Sequence, residues 1–98
     1  MKLEQLLRDI SEIHLIGHQD LVITGISSNS KRIVPGSLFI GKKGKRCDGA
    51  SFVAEAVHSG AVAIVVESYH PTYKDVVQII HPNPASIEGL LSAAFYSY

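Results

Sequence analysis

A run of six apolar residues in the second half of the chain is the feature that most restricts its fold. Ala61 to Val66 reads Ala-Val-Ala-Ile-Val-Val, with no polar residue at alternate positions. A strand of this kind has both faces buried, which is usual in a parallel sheet covered by helices. Residues 50–59 before it have helical spacing, and Gly60 suits the left-handed position after a helix. With an earlier strand at Ser37 to Gly41, these elements have the length of a βαβ crossover.

The rest of the chain completes an α/β pattern around this unit. The further predicted elements are helices at 2–10 and 84–96 and strands at 21–26 and 76–80. The apolar side of the helix at 50–59 consists of Phe52, Val53, Ala56 and Val57. Asn83 can cap the last helix, with Pro84 at its first position. We therefore expect one domain, residues 1–98, with a small mixed or parallel sheet flanked by helices.

Charge and composition exclude several classes of partner. Nine lysines and arginines balance nine aspartates and glutamates, so no net field attracts nucleic acid or a membrane surface. The longest apolar run is far shorter than the ~20 residues of a membrane helix, and the N-terminus lacks a signal-peptide core. The single cysteine suits a reducing compartment, so we expect a cytoplasmic protein. An apolar helical run reaches Tyr98 without a closing turn, and we expect the chain to be part of a longer protein.

A basic loop follows the Ser37 strand. Lys42, Lys43, Lys45 and Arg46 place four cations in five positions, interrupted by Gly44. The loop also precedes a helix, whose first N–H groups and dipole favour anions such as a diphosphate. The alternative is a solvated loop that contacts nothing, and the pattern alone leaves both open.

A polar turn, Ser27 to Ser30, follows the strand predicted at 21–26. Its hydroxyls and the Asn29 amide offer donors and acceptors for a nucleobase or a ribose. The alternative is an ordinary turn, because these small side chains favour local bonds to the backbone.

A partial match to a phosphate-binding P-loop lies at Gly36 to Lys42. The glycine and lysine spacing fits, but Lys43 replaces the serine or threonine that would bind magnesium. Leu38 to Ile40 also reads as an apolar strand rather than a flexible loop. The P-loop interpretation is therefore rejected.

No catalytic centre or metal site is predicted. His14 and His18 have the spacing of a helical metal pair, but Gly17 lies between them and no third ligand is evident. Cys47 lies beside cations that favour its thiolate, yet no base accompanies it. Histidines with structural or surface roles explain the pattern better.

Several short motifs, in the same order and at matching spacings, resemble the start of the Mur ligases. They read Asn29-Ser30-Lys31, Pro35-Gly36-Ser37-Leu38-Phe39-Ile40, Lys43-Gly44 with Asp48-Gly49, Phe52-Val53-Ala54-Glu55-Ala56, and Gly60-Ala61-Val62-Ala63-Ile64-Val65-Val66. The family pattern is roughly Asp-Ser-Arg, Pro-Gly-Asp-Leu-Phe-Val-Ala, Lys-Gly-x-x-x-Asp-Gly, Phe-x-x-x-Ala and Gly-Ala-x-Ala-Val-Val. Nearly the whole chain takes part, and it is most similar to the MurE type, UDP-N-acetylmuramoyl-tripeptide synthetase.

The resemblance implies a role in peptidoglycan synthesis. Ligases of this family have a first domain that binds the uridine diphosphate (UDP) end of the substrate, a middle domain that holds ATP, and a last domain that helps to bind the amino acid. This chain resembles the first domain alone. The parent enzyme would use ATP and Mg²⁺ to add diaminopimelate or lysine to UDP-N-acetylmuramoyl-L-alanyl-D-glutamate. The isolated chain would hold no cofactor and be inactive, and its partners would be that substrate and the central and C-terminal domains.

The resemblance also places the substrate contacts. Carried over position by position, the contacts to the UDP moiety fall on Ser28, Ser30, Lys45, Arg46 and Cys47. The family's Asp-Ser-Arg has Asn29 and Lys31 in place of its aspartate and arginine, and lysine cannot make the bidentate contact of arginine. Two alternatives stay open: the first domain of a MurF-type ligase, and a stand-alone nucleotide- or anion-binding module without catalysis.

Overall fold

The computed structural model describes residues 1–18, 20–42 and 49–96. Within these ranges five strands form one sheet: β1 His14–Ile16, β2 Gly25–Ser27, β3 Ser37–Ile40, β4 Ala63–Val66 and β5 Val77–Ile80. The helices of the same ranges are α1 Leu3–Leu7, α2 Gly49–His58 and α3 Pro84–Tyr96, with short 3₁₀ helices at Ser30–Arg32 and Pro71–Tyr73. None of these described helices combines the length and apolarity needed to cross a membrane.

The strands follow the order β1-β5-β4-β3-β2, so β4 lies at the centre of the sheet. β2, β3, β4 and β5 are mutually parallel, and β1 pairs antiparallel with β5 at the edge. The predicted fold class, a mixed sheet flanked by helices, is confirmed. Because the parallel strands run in one direction, their carboxyl ends all meet at one edge of the sheet.

Both faces of β4 are buried, as the apolar run predicts. Ala63 and Val65 belong to one core cluster, and Ile64 and Val66 belong to the other. The first cluster includes Leu3, Leu6, Leu7, Ile87 and Leu91 of α1 and α3. The second includes Val53 and Ala56 of α2. Each fully buried aliphatic side chain stabilises the fold by roughly 1.5–3 kcal/mol, so the two clusters fix the helices on opposite faces.

The N-terminal third departs from the predicted element bounds. The helix predicted at 2–10 ends at Leu7, and the strand predicted at 21–26 begins only at Gly25. The strand begins late because residues 21–23 have another partner: Leu3 N–H donates to Leu21 O at 2.7 Å, and Ile23 N–H donates to Met1 O at 2.6 Å. Residues 21–23 thus pair with the N-terminus, whereas the Thr24 N–H already donates to Gly36 O, just before β3. β1 was not predicted, because it is a three-residue edge strand whose position is set by its pairing with β5.

Two glycines connect the loop before β3 to the loop before β4, at the amino ends of these strands. Gly36 has a φ of 91° in the Val34–Ser37 turn, and Gly60 has a φ of 108° just after α2. Gly36 N–H donates to Gly60 O at 3.0 Å, and a Cβ at Gly60 would lie 2.7 Å from Pro35 Cα. Only glycine fits this close approach and this backbone conformation. These loops hold the βαβ unit at the end opposite to the cleft described next.

Candidate functional site

Three segments with polar or charged side chains meet at the carboxyl edge of the parallel strands. The Ser28–Ser30 turn follows β2, Lys42 follows β3, and α3 begins shortly after β5. Ligands of open α/β sheets bind in crevices outside the carboxyl ends of the strands. The topology therefore brings the polar turn and the first lysine of the basic loop to the edge where a ligand site is expected.

The turn after β2 is held in shape by its own side chains. The Asn29 N–H donates to the Ser27 hydroxyl oxygen at 2.9 Å, and the Lys31 N–H donates to Asn29 Oδ1 at 3.0 Å. The second bond caps the 3₁₀ helix that begins at Ser30. The Asn29 amide oxygen is thus used within the turn. The result is a fixed turn, with Ser28 half-buried and Ser30 only 4% exposed.

A cleft of about 490 Å³ opens beside this turn. Its lining consists of Ser28, Asn29, Ser30, Phe39, Lys42, Phe52 and Ala85. The volume lies within the ~300–1,000 Å³ of small-molecule sites. The lining joins one polar turn and one cation to two aromatic rings and the first turn of α3, so it suits a ligand that is planar in one part and anionic in another.

Lys42 is positioned by the sheet and by one acidic side chain. Gly41 N–H donates to Val65 O at 2.8 Å, which extends the β3–β4 ladder to the residue before Lys42. The Lys42 ammonium lies 3.0 Å from Glu88 Oε2 of α3. That oxygen is shielded from solvent, and the ammonium lies within hydrogen-bond distance of it. The nearby ammonium is therefore the charge that compensates it.

The aromatic part of the cleft comes from β3 and from α2, which packs on the face of the sheet that Phe39 occupies. Phe39 of β3 is 1% exposed and forms part of the core, whereas Phe52 of α2 is 37% exposed. Phe52 was predicted on the apolar side of this helix with Val53 and Ala56; those two are buried, whereas Phe52 is partly exposed. One residue along a helix is a rotation of about 100°, so Phe52 lies at the margin of the buried stripe and reaches the cleft.

The structure brings together two of the five residues predicted to contact UDP. Ser28 and Ser30 both line the cleft. The other three, Lys45, Arg46 and Cys47, lie outside the described residues. Lys42 was predicted only as part of the anion-favouring basic loop, and Phe52 and Ala85 were not predicted to line the candidate site. A basic residue after a strand was a usable signal for Lys42, but nothing local marks Ala85, because its place depends on the packing of α3.

The P-loop-like segment is a strand. Ser37 to Ile40 forms β3, with all four residues buried between neighbouring strands and helices. A phosphate cradle needs exposed backbone N–H groups in a loop, so the residues of this segment do not fit the triphosphate of ATP. The interpretation of Leu38 to Ile40 as an apolar strand is confirmed.

His14 lies in β1 rather than on a helix, so the helical spacing of His14 and His18 does not bring them onto one face. Across residues 1–18, 20–42 and 49–96, no group of three or more acidic, histidine or cysteine side chains is arranged to hold a metal ion.

The fold and the cleft define a small α/β domain with an open cleft at the carboxyl edge of its sheet. The model of the Mur ligase family, catalytic domain, matches residues 22–96. This chain therefore belongs to the Mur ligase family.

Relatives match along the whole chain. The UDP-N-acetylmuramoyl-L-alanyl-D-glutamate--2,6-diaminopimelate ligase of Chlamydia felis is 39% identical, and the match covers 100% of this chain and 20% of the relative. The protein of the same name from Phocaeicola vulgatus is 33% identical over 98% of this chain and 20% of its own length. The chain thus spans about a fifth of the length of these relatives.

Solved structures of MurF ligases share the fold. A crystal structure of MurF from Acinetobacter baumannii superposes with a TM-score of 0.73 and 25% identity, covering 95% of this chain and 20% of that one. MurF ligase from Thermotoga maritima, in complex with ADP, gives a TM-score of 0.59 and 29% identity over 76% of this chain and 17% of that one.

Proposed function

We propose that this chain binds the UDP end of UDP-N-acetylmuramoyl-L-alanyl-D-glutamate, as the first domain of a cytoplasmic ligase that adds 2,6-diaminopimelate in peptidoglycan synthesis. The observation that carries the proposal is the convergence of the Ser28–Ser30 turn and Lys42 on one cleft. The names of relatives matched along the whole chain support the choice of substrate and of amino acid.

The chemistry of the cleft matches the parts of this ligand. The hydroxyls of Ser28 and Ser30 donate to or accept from the uracil edge and the ribose. The Lys42 ammonium supplies the charge for the diphosphate, at an edge where two helices begin. In this proposal Lys45, Arg46 and Cys47 add further contacts, since they follow Lys42 and precede the first residue of α2.

The domain anchors the substrate and leaves the chemistry to other domains of the longer protein. ATP and Mg²⁺ belong to those domains in our proposal, because the one P-loop-like segment of this chain is the buried strand β3. When bound there, ATP supplies the activation of the substrate carboxylate. Binding energy from the UDP end then positions the reacting end of the substrate.

A MurF-type parent is the second candidate, and the structural similarity to MurF of Acinetobacter baumannii favours it. Both types would use this domain for a UDP end, so the cleft does not separate them. A ligation assay on the longer protein does: the first proposal predicts that it consumes 2,6-diaminopimelate, and the second predicts that it consumes D-alanyl-D-alanine. The third candidate, a stand-alone module, predicts neither reaction.

Equilibrium binding to the 98-residue chain tests the proposal. UDP should bind weakly, the UDP-N-acetylmuramoyl dipeptide at least as tightly, and inorganic pyrophosphate less well than UDP. Ser30→Ala should remove a hydrogen bond worth about 0.5–1.5 kcal/mol. Ser59→Ala is the matched control, because Ser59 is exposed just after α2, at the end of the sheet opposite to the cleft. Lys45→Ala combined with Arg46→Ala should weaken UDP binding further and reduce its salt dependence. Equal affinity for UDP and pyrophosphate would contradict the proposal.

A further inference from the structure

Phe52 is the one large aromatic side chain of the cleft that combines an apolar ring with substantial exposure. Its exposed fraction is 37%, compared with 1% for Phe39 in the same lining. Single exposed apolar residues are normal on protein surfaces, so exposure alone assigns no role. The Phe52 ring also lines the same cleft as Ser28 and Ser30, which places it beside polar groups suited to a ligand.

The two parts of the lining match the two kinds of surface on a nucleobase. A base has apolar π faces and a polar edge, so it needs an apolar surface for the ring and donors or acceptors for the edge. The cleft offers the Phe52 ring and Ala85 as apolar surface, and the Ser28–Ser30 turn as the polar side. An aliphatic or purely anionic ligand would use only one of these parts.

We infer that Phe52 stacks on the uracil ring of the bound nucleotide and thereby determines selectivity for a nucleotide over a phosphate alone. The inference rests on the proposed function, since it assigns one residue within that binding site. Stacking of aromatic side chains on bases contributes to affinity without reading the base identity. The serine turn then reads the uracil edge, and Lys42 contacts the diphosphate.

A tryptophan reporter tests the stacking directly, because the chain contains no tryptophan. Phe52→Trp places an indole in the cleft, and Tyr69→Trp places one at a similarly exposed position, 42%, outside the cleft lining. With selective excitation of tryptophan, UDP should quench Phe52→Trp in a saturable way and leave Tyr69→Trp unchanged. Parallel quenching of both variants, or of neither while UDP binds, would overturn the inference.

Affinity measurements on two further variants separate this inference from the proposed function. Phe52→Leu keeps an apolar side chain and removes the aromatic face, and it should weaken UDP binding by roughly 5-fold or more. Pyrophosphate binding should not change, and Phe52→Tyr should retain near wild-type affinity for UDP. If wild-type protein binds UDP and Phe52→Leu binds it equally well, stacking is wrong and the proposed function stands. If wild-type protein does not bind UDP, both are wrong.

Discussion

The Lys42 ammonium lies 3.0 Å from Glu88 Oε2, which links the end of β3 to the second turn of α3 beside the cleft. The side chains are 43% and 32% exposed, although Oε2 itself is shielded from solvent. Pairs with this degree of exposure contribute only about 0–1 kcal/mol to stability. The pair therefore adds little to the stability of the fold, and in the proposed site its main effect is on the charge near the ligand.

Changing either partner of this pair should alter UDP binding in opposite directions. Lys42→Met removes a cation near the diphosphate and should weaken binding, whereas Glu88→Gln removes a competing anion and should strengthen it. Each effect should be up to about 5-fold, since one charge pair in a hydrated site amounts to about 1 kcal/mol. Uridine is the neutral control and should respond to neither change. A Glu88→Gln variant that binds UDP less tightly would contradict this interpretation.

Val65→Asp should destabilise the domain by several kcal/mol, measured as the free energy of unfolding in urea. Val65 is 0% exposed at the centre of the sheet, and an unpaired carboxylate there has no water or cation to compensate it. Leu90→Asp is the control, because Leu90 is 57% exposed on α3. Fast amide exchange throughout 63–66 in the wild-type protein would show that β4 is not the interior strand.

Two glycine-to-alanine changes should have opposite effects on stability. Gly60→Ala forces a side chain into a φ of 108° and toward Pro35 Cα, 2.7 Å away, so it should destabilise the domain. Gly89→Ala should stabilise it by up to about 1 kcal/mol, because Gly89 lies inside α3 and a Cβ there meets nothing within 4 Å. Thermal unfolding of the two variants measures both signs. A stabilising Gly60→Ala would show that the turn is not as described.

The 98-residue chain should neither hydrolyse ATP nor ligate amino acids. Most of the segment that resembles a P-loop, Gly36 to Lys42, is the buried strand β3. Lys42, the last residue of that segment, is paired with Glu88. Phosphate release from ATP should stay at the level of a protein-free sample. Turnover that Lys42→Ala abolishes would contradict the assignment of this segment as a strand that does not bind ATP.

The elements that the sequence predicts well are those with a long, regular pattern. β4, α2 and α3 were predicted because an unbroken apolar run and helical spacing need no tertiary partner to be recognised. β1 was missed and the start of β2 misplaced because three-residue strands are defined by what they pair with. The backbone groups of residues 21–23 bond to Met1 and Leu3, and no local sequence pattern predicts that pairing.

In the candidate site, too, some residues follow a local sequence pattern and others are brought in only by packing. Ser28 and Ser30 were predicted because small polar residues after a strand form a local pattern, and the family motif marks them. Phe52 and Ala85 are distant in the chain from that turn, and only the packing of α2 and α3 against the sheet brings them to the cleft. The aromatic part of the site therefore depends on tertiary structure.

Mapping of amide chemical shifts on titration with UDP tests the central claim most directly. We predict that the largest changes fall on Ser28 to Ser30, Lys42 and Phe52, and that inorganic phosphate at equal concentration reproduces only the changes near Lys42. A second cleft, lined by Glu4, Leu7, Arg8, Ile13 and Leu15, serves as the internal control and should not respond. Shifts confined to that second cleft, or an identical response to UDP and phosphate, would contradict the assignment of the UDP site.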